Sequence, residues 1–306
     1  MLTSDQRKPV GLALALIIAL TTAGFAADRR SYAAQAKQWR AERDTELKAD
    51  DGWLTLAGLF WLKEGDNRIG SDPTGDILLP EGSAPARLGV ITFHDGHATL
   101  RVTGDAQVTL NGKPVATVEL QSDEHQKPDV LRLGGLSFHV IKRGARYGVR
   151  VKDLNSAARR EFTGRRWYPA NSSYRVMADF VAYGQPRQVD IINKLGDVIK
   201  MTSPGYAVFK LKGKAYRLDA LDEEGKLFFV FGDLTNGKTT YGAGRFLYAD
   251  AAKSGKVVMD FNQAVNPPCA FTPFATCPLP PRQNRMKTAI AAGELNYHTA
   301  ANALAH

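Results

Sequence analysis

From Gly52 onward, apolar residues recur at every second position, and no long helical period appears again before residue 300. A period of two puts alternate side chains on opposite faces of an extended chain, so each such run is a strand with one buried face. The alternation predicts strands over Leu88–Phe93, His97–Thr103, Gln107–Leu110, Val115–Leu120, Leu136–Ile141 and Tyr147–Val151. Asp95-Gly96, Gly104-Asp105, Asn111-Gly112 and Gly134-Gly135 punctuate these runs. Asn-Gly between two alternating segments is the residue pair a tight two-residue hairpin requires. Short strands with such turns indicate an antiparallel sandwich or barrel.

The second half repeats the pattern. Strands are expected over Tyr174–Tyr183, Gln188–Asn193, Val198–Lys200, Tyr206–Leu211, Lys214–Ala220, Leu227–Phe231, Arg245–Tyr248, Lys256–Asp260 and Lys287–Ile290. Before both halves, Tyr32, Ala36, Trp39, Arg43 and Leu47 recur at helical spacing, which predicts one amphipathic helix over residues 29–49, stopped by Asp50-Asp51-Gly52. Between the halves, residues 153–172 shift to a turn followed by Arg159, Arg160, Arg165 and Arg166.

The first residues have the order of a cleavable export signal. Arg7 and Lys8 precede an apolar run over Val10–Leu20, and the small residues Gly24 and Ala26 follow. The run is shorter than the ~20 apolar residues of a membrane-spanning helix. A periplasmic or secreted protein with no stable membrane span after cleavage is expected. The whole chain carries 40 basic and 31 acidic residues. This moderate positive balance suits a small anionic or polar ligand, and no nucleic-acid motif accompanies it.

Outside the cytoplasm, the two cysteines, Cys269 and Cys277, are expected as a disulfide closing a loop in NPPCAFTPFATCPLPP. A soft-metal site needs further ligands, and none stands near. Six prolines, Pro267, Pro268, Pro273, Pro278, Pro280 and Pro281, leave this loop little entropy to lose and suit it to a preformed pocket wall.

Two polar clusters could carry chemistry. The first runs from Asp233 to Arg245 and includes Thr239 and Tyr241. It reads as a ligand site, with Arg245 gripping an anion, or as a hairpin whose polar side chains satisfy the turn. It lacks the spacing of a Walker phosphate loop. The second is Asp260, Asn262 and Asn266, with Asn284, whose oxygens would meet a sugar or a cation or else brace the Pro-rich loop. Glu294 with Asp233 or Asp260 offers a carboxylate pair for acid/base work, with Tyr241 as donor. No serine-hydrolase elbow occurs, and His94, His97, His125, His139, His298 and His306 show no metal-ligand spacing, so no metal or cofactor is expected. The basic stretch Lys142, Arg143, Arg146, Arg150, Lys152, Arg159, Arg160, Arg165, Arg166 would attract an anionic glycan or lipid headgroup, or form one solvated face of a strand.

Three blocks resemble the bacterial family of unknown function DUF1684: WLTLAGLFWLKEG at residues 53–65, GDLTNGKTTYGAGRFLY at 232–248, and DFNQAVNPPCAFTPFATCPLPP at 260–281, followed by Asn284 and Ala292-Gly293-Glu294. In the first half, Asn67-Arg68-Ile69-Gly70, Gly75-Asp76-Ile77-Leu78-Leu79-Pro80 and Asn111-Gly112 resemble a forkhead-associated β-sandwich. That family holds phosphothreonine with an Arg and a Ser-x-x-His motif. Here Ser71 stands at the arginine's place, and no His follows Ser83 at that spacing. The resemblance implies the sandwich and not its site.

The expected protein is therefore mainly β. Its parts are a signal peptide at 1–26, a helical arm at 27–51, an antiparallel β-sandwich of forkhead-associated type at 52–155, a C-terminal antiparallel β domain with the Pro/Cys loop at 156–298, and a frayed tail at 299–306. Its expected function is binding a small anionic or polar ligand through Asp233, Thr239, Tyr241, Arg245, Asp260, Asn262 and Asn266. The alternatives are a hydrolase using Asp233, Tyr241 and Glu294, and a structural envelope protein with no ligand.

Overall fold

The computed structural model describes residues 31–125 and 127–297. The export signal, His298 and the C-terminal tail lie outside the described residues. The chain is helical over residues 31–48 (α1), within the span the periodicity predicts. Ala36 and Leu47 on its apolar stripe are buried. Trp39 meets Trp167 edge-on, with ring centroids 5.6 Å apart. The Tyr32 hydroxyl donates to the Asp260 carboxylate at 2.7–2.8 Å. The helix is thus clamped onto the C-terminal half by residues far from it in sequence.

Strands β1 (Leu56–Trp61), β2 (Gly65–Gly70), β3 (Ile77–Leu78), β4 (Gly89–His94), β5 (His97–Val102), β6 (Thr109–Leu110), β7 (Lys113–Pro114), β8 (Thr117–Leu120), β9 (Leu131–Leu133), β10 (Leu136–Arg143) and β11 (Arg146–Asp153) build two sheets. Their orders are β1-β11-β10-β9-β6-β7 and β3-β2-β4-β5-β8. The inner faces share one core that includes Ile69, Leu88, Ile91, Leu100, Leu131, Phe138 and Val151. This is the expected sandwich, antiparallel except for the short β2–β3 pair. Asn111-Gly112 turns β6 into β7, with φ of 52° and 76°. Both values lie in the left-handed region a tight hairpin needs.

A single helical turn, α2 (Ala157–Arg160), capped by the Ser156 side chain, leads onward. Then come β12 (Arg175–Ile192), β13 (Val198–Leu211), β14 (Lys214–Glu223), β15 (Lys226–Phe231), β16 (Arg245–Ala249) and β17 (Lys256–Asp260). They form one antiparallel sheet ordered β16-β15-β14-β13-β12-β17. The sheet curls until the chain just past β17 pairs with β16, through reciprocal Phe246 and Val265 backbone bonds of 2.9 Å. Phe209, Leu218, Phe229, Phe231, Leu247, Met259 and Phe261 fill the inside.

Two expectations change here. The gaps left between the expected strands at residues 184–187 and 201–205 do not end strands. Residues 183–186 bulge opposite Pro204, between the pairs Ala182↔Gly205 and Arg187↔Ser203. A bulge leaves backbone groups unpaired, so prolines that lack an N–H are accommodated there. Lys287–Ile290 is not a strand. Its backbone is bound by loop partners instead, with Ile290 N–H donating to Asp233 Oδ1 at 3.1 Å.

Candidate functional site

The polar cluster around Arg245 is a closed structural knot. The Arg245 side chain has no exposure and forms a 2.7 Å ion pair with Asp233. Its other bonds go to the Ala292 and Ile290 carbonyls. Asp233 Oδ1 accepts from Thr235 N–H, the Thr235 hydroxyl and Ile290 N–H. Arg245 therefore faces inward, and the expectation that it grips a ligand is corrected. Residues 232–244 must bridge β15 to β16 under a buried Pro-rich loop, and the ion pair satisfies their polar groups there.

The remaining predicted residues separate. Thr239 is exposed and meets the Tyr168 hydroxyl at 2.5 Å. The Tyr241 hydroxyl donates to the Cys269 carbonyl at 2.8 Å, and burial raises its pKa. Asp260 accepts from Tyr32 and from Asn262 N–H and Nδ2. Asn262 bonds both backbone groups of Asn171. Asn284 bridges Asp219 and Val230. These side chains brace the loops that carry them. Among the described residues, Asp233, Tyr241 and Glu294 form no hydrogen bond with one another, and no group of three His, Cys, Asp or Glu side chains is placed to hold a metal.

Cys269 and Cys277 are buried free thiols, so the expected disulfide is absent from this structure. Cys269 N–H donates to Cys277 Sγ at 3.2 Å. Their thiols interact: the hydrogen bond with Cys277 holds Cys269 down at about 7, while Cys277 is raised.

The open chemistry lies elsewhere. The outer face of β15 and β16 turns toward the outer face of β10 and β11, and the two leave a cavity of ≈ 530 Å³. Its walls are largely apolar, with Trp53, Ile199, Met201, Phe228, Phe246 and Tyr248. Phe228 and Tyr248 stack at 4.8 Å. Lys142, Arg143 and Arg150 bring three cations to this wall, against one carboxylate, Glu223.

Arg150 is the unusual group. It is 6% exposed, and its Nε and Nη2 have no hydrogen-bond partner. These two atoms form the side-on fork of a guanidinium, the geometry that receives a carboxylate or phosphate edge. Burial, and then the charge of Arg143, lower Arg150 to about 10, so it remains a cation at neutral pH. Asp123 is committed to Arg143 at 2.9 Å. His139, opposite Arg150 in the β10–β11 register, supplies no charge, because burial and then Arg150 lower it to about 4. Trp53 lies over the guanidinium at 5.3 Å. A buried charge without a hydrogen-bonded partner costs several kcal/mol. Lys142 is paired with Glu124 at 2.8 Å, so among the described residues Arg150 alone of the three lining cations has no carboxylate within 4 Å.

A second cavity of ≈ 260 Å³ lies between α1 and the Pro/Cys loop, lined by Arg165 and Asn266 among others. It shares Trp53, Phe246, Tyr248 and Pro268 with the first.

Asn266 was legible as a candidate; Arg150 and Arg165 were not. Both belong to the basic stretch, which was read as electrostatic attraction or as a solvated strand face. The signal was Val149-Arg150-Val151, in a strand later covered on both faces. Nothing local distinguishes that from a strand with one wet face.

The architecture defines a mainly β protein with a cation-lined cleft between a sandwich and a curled sheet. Residues 160–295 match the family described as protein of unknown function (DUF1684). Among solved structures, the chain is 31% identical to an uncharacterized protein of Haloarcula marismortui, over 45% of this chain and 78% of that one, with a TM-score of 0.38. It is 23% identical to the FHA domain of FhaA, solved in complex with an intracellular domain, over 31% of this chain and 97% of that one, with a TM-score of 0.23. No curated protein matches.

Proposed function

We propose that this chain is an exported binding protein for a small amphipathic anion, seated in the larger cavity with its anionic head on Arg150. The observation that carries this reading is the unfilled Nε/Nη2 fork of a buried, cationic Arg150. The aromatic and aliphatic walls suit an apolar body, and ≈ 530 Å³ falls within the ~300–1,000 Å³ of small-molecule pockets. The test measures thermal stabilisation and calorimetric binding with octanoate, benzoate and phenyl phosphate beside their uncharged alcohol or amide analogues. Stabilisation by the anions alone, lost in Arg150→Ala, is expected. Equal binding of charged and uncharged members, or unchanged anion binding by Arg150→Ala, would overturn the reading.

Export belongs to the same proposal and rests on Arg7, Lys8, the apolar run and the small residues after it. In an oxidising compartment the neighbouring Cys269 and Cys277 thiols would close to a disulfide, giving two protons and two electrons to a thiol–disulfide exchange partner. Mass analysis of the exported fraction is expected to find cleavage near Ala26, and titration of the denatured, unreduced protein is expected to find no thiol. A chain retaining Met1 would refute cleavage, and two titratable thiols would refute the disulfide.

A further inference from the structure

We infer that the smaller cavity is a second binding site, for an uncharged, hydroxyl-bearing group of monosaccharide size. It shares walls with the larger cavity but none of its unpartnered atoms, so it does not rest on the reading of Arg150.

The argument begins with one amide. Asn266 is 5% exposed, and its Nδ2 donates both hydrogens inward, to Glu294 Oε1 at 2.9 Å and the Leu295 carbonyl at 2.8 Å. Both partners are acceptors. A flipped amide would set its oxygen against two oxygens, so the orientation is locked. The lock leaves Asn266 Oδ1 buried without a donor. Glu294, wholly buried, is therefore a positioning residue, and it also receives Asn266 N–H at 2.9 Å.

Arg165 supplies the complementary half. Its side chain is 5% exposed. Nη2 donates to the Arg43 carbonyl at 3.1 Å, while Nε and Nη1 have no hydrogen-bond partner. The nearest carboxylates, Asp44 at 3.5 Å and Glu294 at 3.9 Å, balance its charge without completing those bonds. The site therefore offers donors and an acceptor with little charge left over.

A group that bridges these atoms must accept from Arg165 and donate to Asn266. A hydroxyl does both; a carboxylate cannot donate, and an ammonium cannot accept. Trp53, Phe246, Tyr248 and Phe271 add aromatic walls that suit the C–H face of a sugar ring. The volume of ≈ 260 Å³ limits the occupant to about one ring. Water is the competing occupant, since it too bridges donors and acceptors in polar cavities.

The test titrates the full chain with a panel of free hexoses and pentoses, followed by calorimetry and by NMR shifts. Saturable binding of at least one sugar is expected, weakened tenfold or more in Arg165→Met and unchanged in Arg150→Ala. Arg150→Ala thus separates this site from the anion site, whose probes are run on the same samples. If Arg165→Met fails to fold, the deoxy analogues of the bound sugar replace it on the unaltered chain. Loss of one bridging hydroxyl is expected to weaken binding tenfold or more, because it leaves buried polar groups unpaired. Failure of every sugar to bind while the anions still bind would leave water as the occupant and overturn the inference. Equal binding by Arg165→Met, or by every deoxy analogue, would overturn it as well.

Discussion

Arg245 and Asp233 meet at 2.7 Å with neither side chain exposed, an ion pair that joins the start of β16 to the loop leaving β15. Removing one partner of such a pair strands the other charge in a low-dielectric interior. Asp233→Asn is expected to cost about 3–5 kcal/mol of stability, read from urea unfolding. Binding of the anion probes by the folded fraction is expected to stay unchanged. A loss of anion affinity in the folded variant would return Arg245 to the site.

Arg150 predicts the opposite sign. Its fork has no hydrogen-bond partner, so in the ligand-free protein only the Trp53 ring and the charge of Asp123 act against the desolvation cost. Arg150→Met keeps the aliphatic bulk and removes the charge. It is expected to raise stability by about 1–3 kcal/mol in an anion-poor buffer. Urea midpoints with and without octanoate check this, and octanoate is expected to stabilise only the parent chain.

Glu294 sets a pH dependence. Burial raises its pKa from 4.5 to about 7, against the lowering effects of Arg165 and the Asn266 hydrogen bonds; the Asp44 charge adds to the rise. Between those values the native state holds a proton that the unfolded state has released. The contribution is therefore fully present below pH 4.5 and is lost as pH rises through 7, with a full span of about 3 kcal/mol. Glu294→Gln is expected to flatten this segment of the stability–pH curve. An unaltered slope in Glu294→Gln would assign the dependence to another group.

Gly244 tests the packing of the Pro/Cys loop on β15. Its φ is +96°, and a Cβ there would lie 2.4 Å from Pro280 Cγ and 2.7 Å from the Phe231 carbonyl oxygen. Gly244→Ala combines left-handed strain with a backbone clash and is expected to cost at least about 2 kcal/mol. Thermal unfolding reads it, with Gly237→Ala as the comparison, because Gly237 shares the positive φ of +75° and has open space around its Cβ position.

Much of the fold was readable before the structure. The period of two located β4, β5, β10, β11 and β14 to β17 within a few residues, and Asn111-Gly112 located a hairpin, because side-chain alternation and backbone conformation are local properties. The same logic broke β12 and β13 at residues 184–187 and 201–205, the stretches that hold Pro186 and Pro204. Whether a proline ends a strand depends on what stands opposite it, and here four bulged residues absorb the mismatch.

The sequence by itself determined a helical arm, short antiparallel strands, a rigid Pro/Cys loop and a surplus of arginine. Only the tertiary structure decided which polar groups are spent and which are open. Arg245 and Asp260 were the more conspicuous in sequence, yet long-range partners engage both: Asp233, Ile290 and Ala292 for one, with only Nε left over, and Tyr32, 228 residues away, for the other. Arg150 and Arg165 looked like ordinary members of a basic run, and both are buried with unfilled donors. The physical reason is that a hydrogen bond across the fold leaves no periodicity in the chain. Satisfaction of a buried charge is a property of the packed surfaces around it, and those surfaces exist only once the sandwich and the curled sheet have met.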